Sequence, residues 1–135
     1  MTTIVDASVA LKWFFVEDGS DRAAGLLDGR PLAAPAMWLA EAANAIWRRR
    51  TLGEIAKKDA LGILADLSEA DVENIDIASL IGPAYRIAED LSHPIYDCLY
   101  LAAAIERDTF VVTADRRFIR VASVNARLKS RVRPL

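Results

Sequence analysis

Cysteine and histidine occur once each among the 135 residues. Cys98 has no partner for an internal disulfide and no CxxC neighbour for zinc, so neither cross-links nor a thiolate metal site hold the fold. His93, beside Pro94 in a turn, cannot build a metal site alone. No apolar run reaches the roughly 18 residues that a membrane span requires. The opening MTTIVDASVALKWFF lacks the basic start and small-residue cleavage site of a secretory signal, so the expected compartment is the cytoplasm, with no membrane partner. Internal repeats, low-complexity tracts and linkers are also missing.

What is present is a core-forming composition, 53% hydrophobic and 27% charged, which fits one globular domain over residues 1–135. The net charge of −2 is unevenly placed. Residues 1–106 carry 9 basic against 17 acidic side chains, and residues 107–135 carry 8 against 2. An acidic body therefore precedes a basic tail.

Hydrophobic patterning predicts strands alternating with helices. TTIVDAS reads as a short buried strand, followed by a helix over VALKWFF that Ser8 can cap. A helix from Ser20 to Leu27 stops at Gly29 and Pro31, and LAA follows as a second strand. Pro35 suits the first turn of a long helix ending at Gly53, with arginines on its last turn. EIAKKDALGILADLS repeats the amphipathic pattern and pairs with it. DVENIDI predicts an edge strand, SLIGPAYRIAEDL a helix, and Ile95 to about Arg107 another. TFVVTAD is the clearest strand, and the remainder predicts one short helix and a terminal strand. This alternation points to an α/β layer fold with a mainly parallel sheet.

Four acids stand out in that frame. Asp6 and Asp115 each follow a β-branched strand, at the carboxyl edge where parallel sheets bind ligands. Asp97 opens an otherwise apolar helix that runs back from the same edge. Glu41 shares a helix face with Asn44 and Arg48. Taken singly, each has an ordinary role: helix-start aspartates cap, and a helical glutamate usually lies on a solvated face. Together, with no basic neighbour beside Asp6, Glu41 or Asp97, they point to a hard divalent cation, Mg²⁺ or Mn²⁺.

The stretches IVDASVALKWF, LAEAANAIWRR, PIYDCLYLAAA and TADRRF, in this order and spacing, resemble the PIN-domain ribonucleases, and among them the VapC-type toxins of bacterial toxin–antitoxin pairs. The resemblance covers essentially the whole chain. It implies a three-layer α/β/α sandwich, a Mg²⁺-dependent endoribonuclease, a homodimer and a small antitoxin partner. The family's acids fall on Asp6, Glu41, Asp97 and Asp115. Thr113 matches a hydroxyl that orients a ligand or binds phosphate, Asn44 an amide near the glutamate, and Ser8 a hydroxyl beside the first aspartate. The RNA implied is tRNA, rRNA or mRNA.

Carboxylate-held Mg²⁺ can lower the pKa of water and bridge phosphate oxygens, so such a nuclease needs no histidine. An acidic crevice repels RNA, and affinity is expected from basic flanks: Arg48, Arg49 and Arg50, then Arg116, Arg117 and Arg120, and the tail from Arg127 to Arg133. Trp13, Trp38 and Trp47 lie in apolar helical runs and are expected in the core or an interface. Cys98 is expected to be structural. VDAS lacks the paired acids of a phosphoacceptor receiver, and Ser8 replaces the second aspartate of a haloacid-dehalogenase-type site. The rival is a non-catalytic PIN-like module working in a DNA-binding autoregulatory complex with its antitoxin.

Overall fold

The computed structural model describes residues 1–135. Five short strands form one parallel sheet: β1 (Thr3–Val5), β2 (Leu32–Pro35), β3 (Glu73–Ile75), β4 (Val111–Thr113) and β5 (Val132–Pro134), in the order β3-β2-β1-β4-β5. Helices α1 (Ala7–Leu11), α2 (Ser20–Ala24), α3 (Trp38–Thr51), α4 (Lys57–Ser68), α5 (Ile81–Leu91), α6 (Ile95–Glu106) and α7 (Arg116–Ser123) connect them.

The chain steps outward from β1 through β2 to β3, then returns past both to β4 and on to β5. Right-handed crossovers therefore put α1 to α4 on one face and α5 to α7 on the other, giving the three-layer sandwich. The direction reverses between β1 and β4, and ligands bind beyond the carboxyl ends of the strands at such a point. Val5 pairs with Val112, so Asp6 and Thr113 leave the sheet level with each other.

Helix α6 crosses β1, β2 and β4 and is buried continuously from Cys98 to Ala104. Each large side chain so buried contributes about 1.5–3 kcal/mol. Its small residues let it lie close on the sheet, and its apolar circumference reflects burial between α5 and the strands. On the opposite face, Trp38 is buried and its Nε1 donates to Asn74 Oδ1 at 2.8 Å, tying α3 to the middle of edge strand β3.

The boundaries correct several expectations. The first helix begins at Ala7 and ends at Leu11, and Asp6, rather than Ser8, caps it by accepting from Val9 N. A side chain one residue inside the helix cannot reach back as the cap does, and Ser8 turns to Asp6 instead. Pro35 closes β2 rather than opening α3; proline suits a strand end as well as a helix start. Trp47 is not a core residue: it is 61% exposed. Trp13, partly buried, donates to Ala23 O at 2.9 Å.

Candidate active site at the carboxyl edge

Asp6 is the anchor. It is buried, and both carboxylate oxygens are engaged: Oδ1 accepts from Ser8 Oγ at 2.6 Å and Val9 N at 3.1 Å, and Oδ2 accepts from Thr113 Oγ1. The Ser8 hydroxyl in turn accepts from Ala114 N at 3.1 Å, and Thr113 Oγ1 accepts from Asp115 N at 3.0 Å. The loops after β1 and β4 are thus stitched together through two hydroxyls. Burial nevertheless dominates those bonds and pushes the Asp6 pKa up to about 6, with the charge of Asp97 adding to the rise.

Glu41 enters from the first turn of α3. It is half-buried and accepts from the Tyr100 hydroxyl at 2.7 Å. Desolvation raises its pKa, the Tyr100 bond opposes that rise, and Asp97 adds to it. Tyr100 is itself buried, and burial together with Glu41 and Asp6 holds its hydroxyl strongly protonated, so it serves as a donor. Asp97, in the first turn of α6, accepts from His93 Nε2 at 2.7 Å. His93 is placed there because α5 ends at Ser92 in the left-handed conformation, φ 49°, which turns the chain back before Pro94.

Asp6, Glu41 and Asp97 therefore belong to one electrostatic set, linked by the charge of Asp97, and none of them pairs with lysine or arginine. Asp115 stands beside that set. Its Oδ1 caps α7, accepting from Arg117 N at 2.9 Å and Phe118 N at 3.3 Å, while its backbone N–H supports Thr113.

The donors suit a hard divalent cation in kind, being carboxylate oxygens without a cationic partner. In the arrangement present, no three His, Cys, Asp or Glu side chains ring a single point. A cation shared by Asp6, Glu41 and Asp97 requires Glu41 and Asp97 to draw in, because the engaged oxygens of Asp6 hold it in place.

A groove of about 320 Å³ between α1 and α3 adjoins the acids, lined on its polar side by Ser8, Glu41, Asn44 and Arg48. Asn44 makes no side-chain hydrogen bond to Glu41; it faces this groove. Arg49 is committed elsewhere, ion-paired with Glu17 at 2.7 Å and stacked 4.0 Å from the centre of the Phe15 ring. Arg116 and Arg117 are exposed at the start of α7. Within the basic tail, Arg131 binds Asp108 and Arg133 covers Phe110. Cys98 is buried, and burial pushes its thiol up to about 11, as suits a structural residue.

Sequence reasoning missed two supporting side chains. Tyr100 lies three residues after Asp97 and so shares its helix face, a signal that was available. His93 lies across a proline from α6, where helical spacing carries no information.

The PIN domain family profile matches residues 3–124. No curated protein sequence matches the chain. Among solved structures, VapBC2 from Rickettsia felis bound to a DNA fragment from its promoter is similar with a TM-score of 0.63 and 18% identity, over 99% of this chain and 98% of that one. PAE2754 from Pyrobaculum aerophilum is similar with a TM-score of 0.67 and 23% identity, over 90% and 87%. A toxin–antitoxin complex from Klebsiella pneumoniae is similar with a TM-score of 0.62 and 13% identity, over 87% and 89%. At these identities the likeness bears on the fold alone. With that family's profile running from the first strand to the end of α7, the chain belongs to the PIN domain family.

Proposed function

We propose that the protein is a VapC-type endoribonuclease that depends on Mg²⁺ or Mn²⁺, the toxin of a toxin–antitoxin pair, acting as a homodimer on tRNA, rRNA or mRNA to inhibit translation. The observation that carries this reading is the convergence of Asp6, Glu41 and Asp97 at the β1/β4 edge with no lysine or arginine paired to them, His93 beside Asp97 being the one basic neighbour. Solved relatives of the same fold that are toxin–antitoxin complexes support the biological role and the small antitoxin partner.

Asp6, Glu41 and Asp97 would hold the cation, with Asp115 contributing through Oδ2, which accepts no hydrogen bond. When bound, a divalent ion supplies charge neutralisation at the phosphate and a lowered pKa for water. The chain's own residues do the positioning. Ser8, Val9 N–H and Thr113 fix Asp6 from three directions, Tyr100 holds Glu41, and His93 holds Asp97. Asp6, bound from three sides, needs the least reorganisation, and Glu41 and Asp97 would draw in toward the cation around it.

A second reading has two observations behind it: one solved relative is bound to promoter DNA, and no three ligands ring a point as the acids stand. In that reading the chain is a non-catalytic partner in a DNA-binding autoregulatory complex. Incubating purified protein with pooled, end-labelled total RNA, with Mg²⁺, with chelator, and as Asp97→Asn, separates the two. Cuts at few sites that need the metal and vanish in the variant establish the nuclease; no cutting by folded protein favours the binding partner.

A further inference from the structure

A cavity of about 240 Å³ lies on the other side of Thr113 from Asp6, and Lys12, Asp18, Gly19, Arg22 and Arg116 are among its walls. It brings together Lys12, Arg22 and Arg116 with Asp18 and Leu135 in its walls and Glu17 paired to Lys12, at the edge of a crevice that otherwise gathers acids. Lys12 is fixed in place, with Nζ donating to Glu17 Oε1 at 3.2 Å and Asp18 O at 2.6 Å, which leaves the third of its three N–H donors free. Arg22 and Arg116 form no ion pair and no side-chain hydrogen bond within the chain, so two guanidinium forks stand open beside it.

Gly19 turns the chain at this wall with a φ of +86°, a left-handed conformation that favours glycine. A Cβ built there would stand 3.3 Å from Arg22 Nη2 and in ordinary contact with Lys12 Cδ at 3.5 Å, so both cationic side chains lie close against its backbone.

We propose that this cavity is a phosphodiester subsite, which takes a phosphate of the RNA strand flanking the one held at the acids. The assignment of the ligand to RNA rests on the nuclease reading above. Guanidinium groups match phosphate oxygens in a two-pronged geometry. Thr113 forms a wall of the cavity and also donates to Asp6, so one side chain separates the two sites. A strand with one phosphate over the acids presents a neighbouring phosphate to Lys12, Arg22 and Arg116, which fixes its register. The same cations would also attract an acidic peptide, which is one outcome of the test.

The test is equilibrium binding of a fluorescein-labelled single-stranded RNA by the full chain, in chelator so that nothing is cut, over a range of salt. For single strands each neutralised phosphate contributes about 0.7 to the slope of log K against log salt, or about fivefold in affinity at 0.1 M salt. Arg22→Ala and Arg116→Ala are each expected to weaken binding by about that factor and flatten the slope, and Arg22→Lys to retain most of both. Arg30→Ala, which removes an arginine from a separate cavity lined by Thr2 and Glu73 at the amino edge of the sheet, is the control and should leave both unchanged. Parent-like binding by Arg22→Ala and Arg116→Ala overturns the subsite, even if the protein cuts RNA with Mg²⁺. An equal loss in the Arg30→Ala control also overturns it, since only general charge is then at work. Tighter binding of a labelled oligoglutamate than of RNA, lost in the two alanine variants, overturns it in favour of an acidic peptide. The predicted slopes in a protein that cuts nothing support the subsite and remove only the nuclease reading.

Discussion

Replacing Asp6 by asparagine should stabilise the metal-free protein at neutral pH while removing the proposed RNA cleavage. Burial raises the Asp6 pKa from 3.8 to about 6, so the folded state resists ionisation that the unfolded chain undergoes freely. Below pH 3.8 the group is protonated in both states and costs nothing. As the pH rises through the folded pKa, the native state loses stability relative to the unfolded one. At 1.36 kcal/mol per pKa unit the full penalty is about 3 kcal/mol, most of it developed between pH 4 and pH 7. Glu41 is raised as well and adds a penalty of the same sign.

The assay is urea denaturation of parent and Asp6→Asn, without divalent metal, at several values between pH 4 and pH 8. Comparing the two proteins at each pH cancels groups such as Glu17, whose pKa is lowered by Arg49 and Lys12 and which therefore weakens the fold as the pH falls. Asparagine keeps an oxygen for Ser8 and Val9 N–H, while its amide turns the Thr113 bond round; that change costs the same at every pH and drops out of the pH dependence. The stability of the variant relative to the parent should grow by about 2–3 kcal/mol from pH 4 to pH 7. A difference that stays constant with pH, or shrinks, would refute the claim that Asp6 is an ionisable group held against its burial.

Other outcomes follow from the same contacts. Added Mg²⁺ at pH 7.5 should raise the urea midpoint of the parent and move Asp6→Asn little, because the cation supplies the missing counter-charge; equal shifts would place the metal elsewhere. Thr113→Val removes one donor from Asp6 and the acceptor for Asp115 N–H at a fully buried position, and should cost about 1–3 kcal/mol in denaturation together with a marked loss of RNA cleavage. Tyr100→Phe deletes the bond that lowers the Glu41 pKa, so the acid limb of the pH–cleavage profile should move to higher pH, at a stability cost of about 1.5 kcal/mol. Cys98, buried with its thiol pushed up to about 11, should resist a thiol-reactive disulfide reagent until the protein is unfolded by urea.

Much of this site was legible because strand ends and helix starts leave local marks. The β-branched strands β1 and β4 each end in residues that form the crevice, and the parallel alternation puts those ends on one edge. Asp97 was conspicuous as a lone carboxylate in an apolar helix. Less legible was how each acid is held. Asp6 is bound by Thr113, 107 residues away, and Glu41 by Tyr100, 59 residues away, and no periodicity reports such pairings. One arginine of the basic flanks, Arg49, was misread for a related reason. A run of arginines on α3 looks uniform in sequence, yet Arg48 lines the groove while Arg49 is consumed by Glu17 and Phe15.

The ordinary and the functional readings of the acids are also not exclusive, as Asp6 demonstrates. It caps α1 through Val9 N–H and anchors the crevice with the same carboxylate. Capping alone would favour an exposed aspartate, which keeps its charge at little cost. Here the cap is buried, tied to Ser8 and Thr113, and displaced upward in pKa by burial and by the charge of Asp97. A fold selected only for stability would relieve that penalty with a serine or threonine cap, or with a basic partner. Asp115 supplies the contrast within the same protein, since it caps α7 at the surface and accepts from two backbone N–H groups. The difference between these two caps, rather than the presence of either, is what supports the proposed place of Asp6 at the centre of the cation site and of Asp115 at its margin.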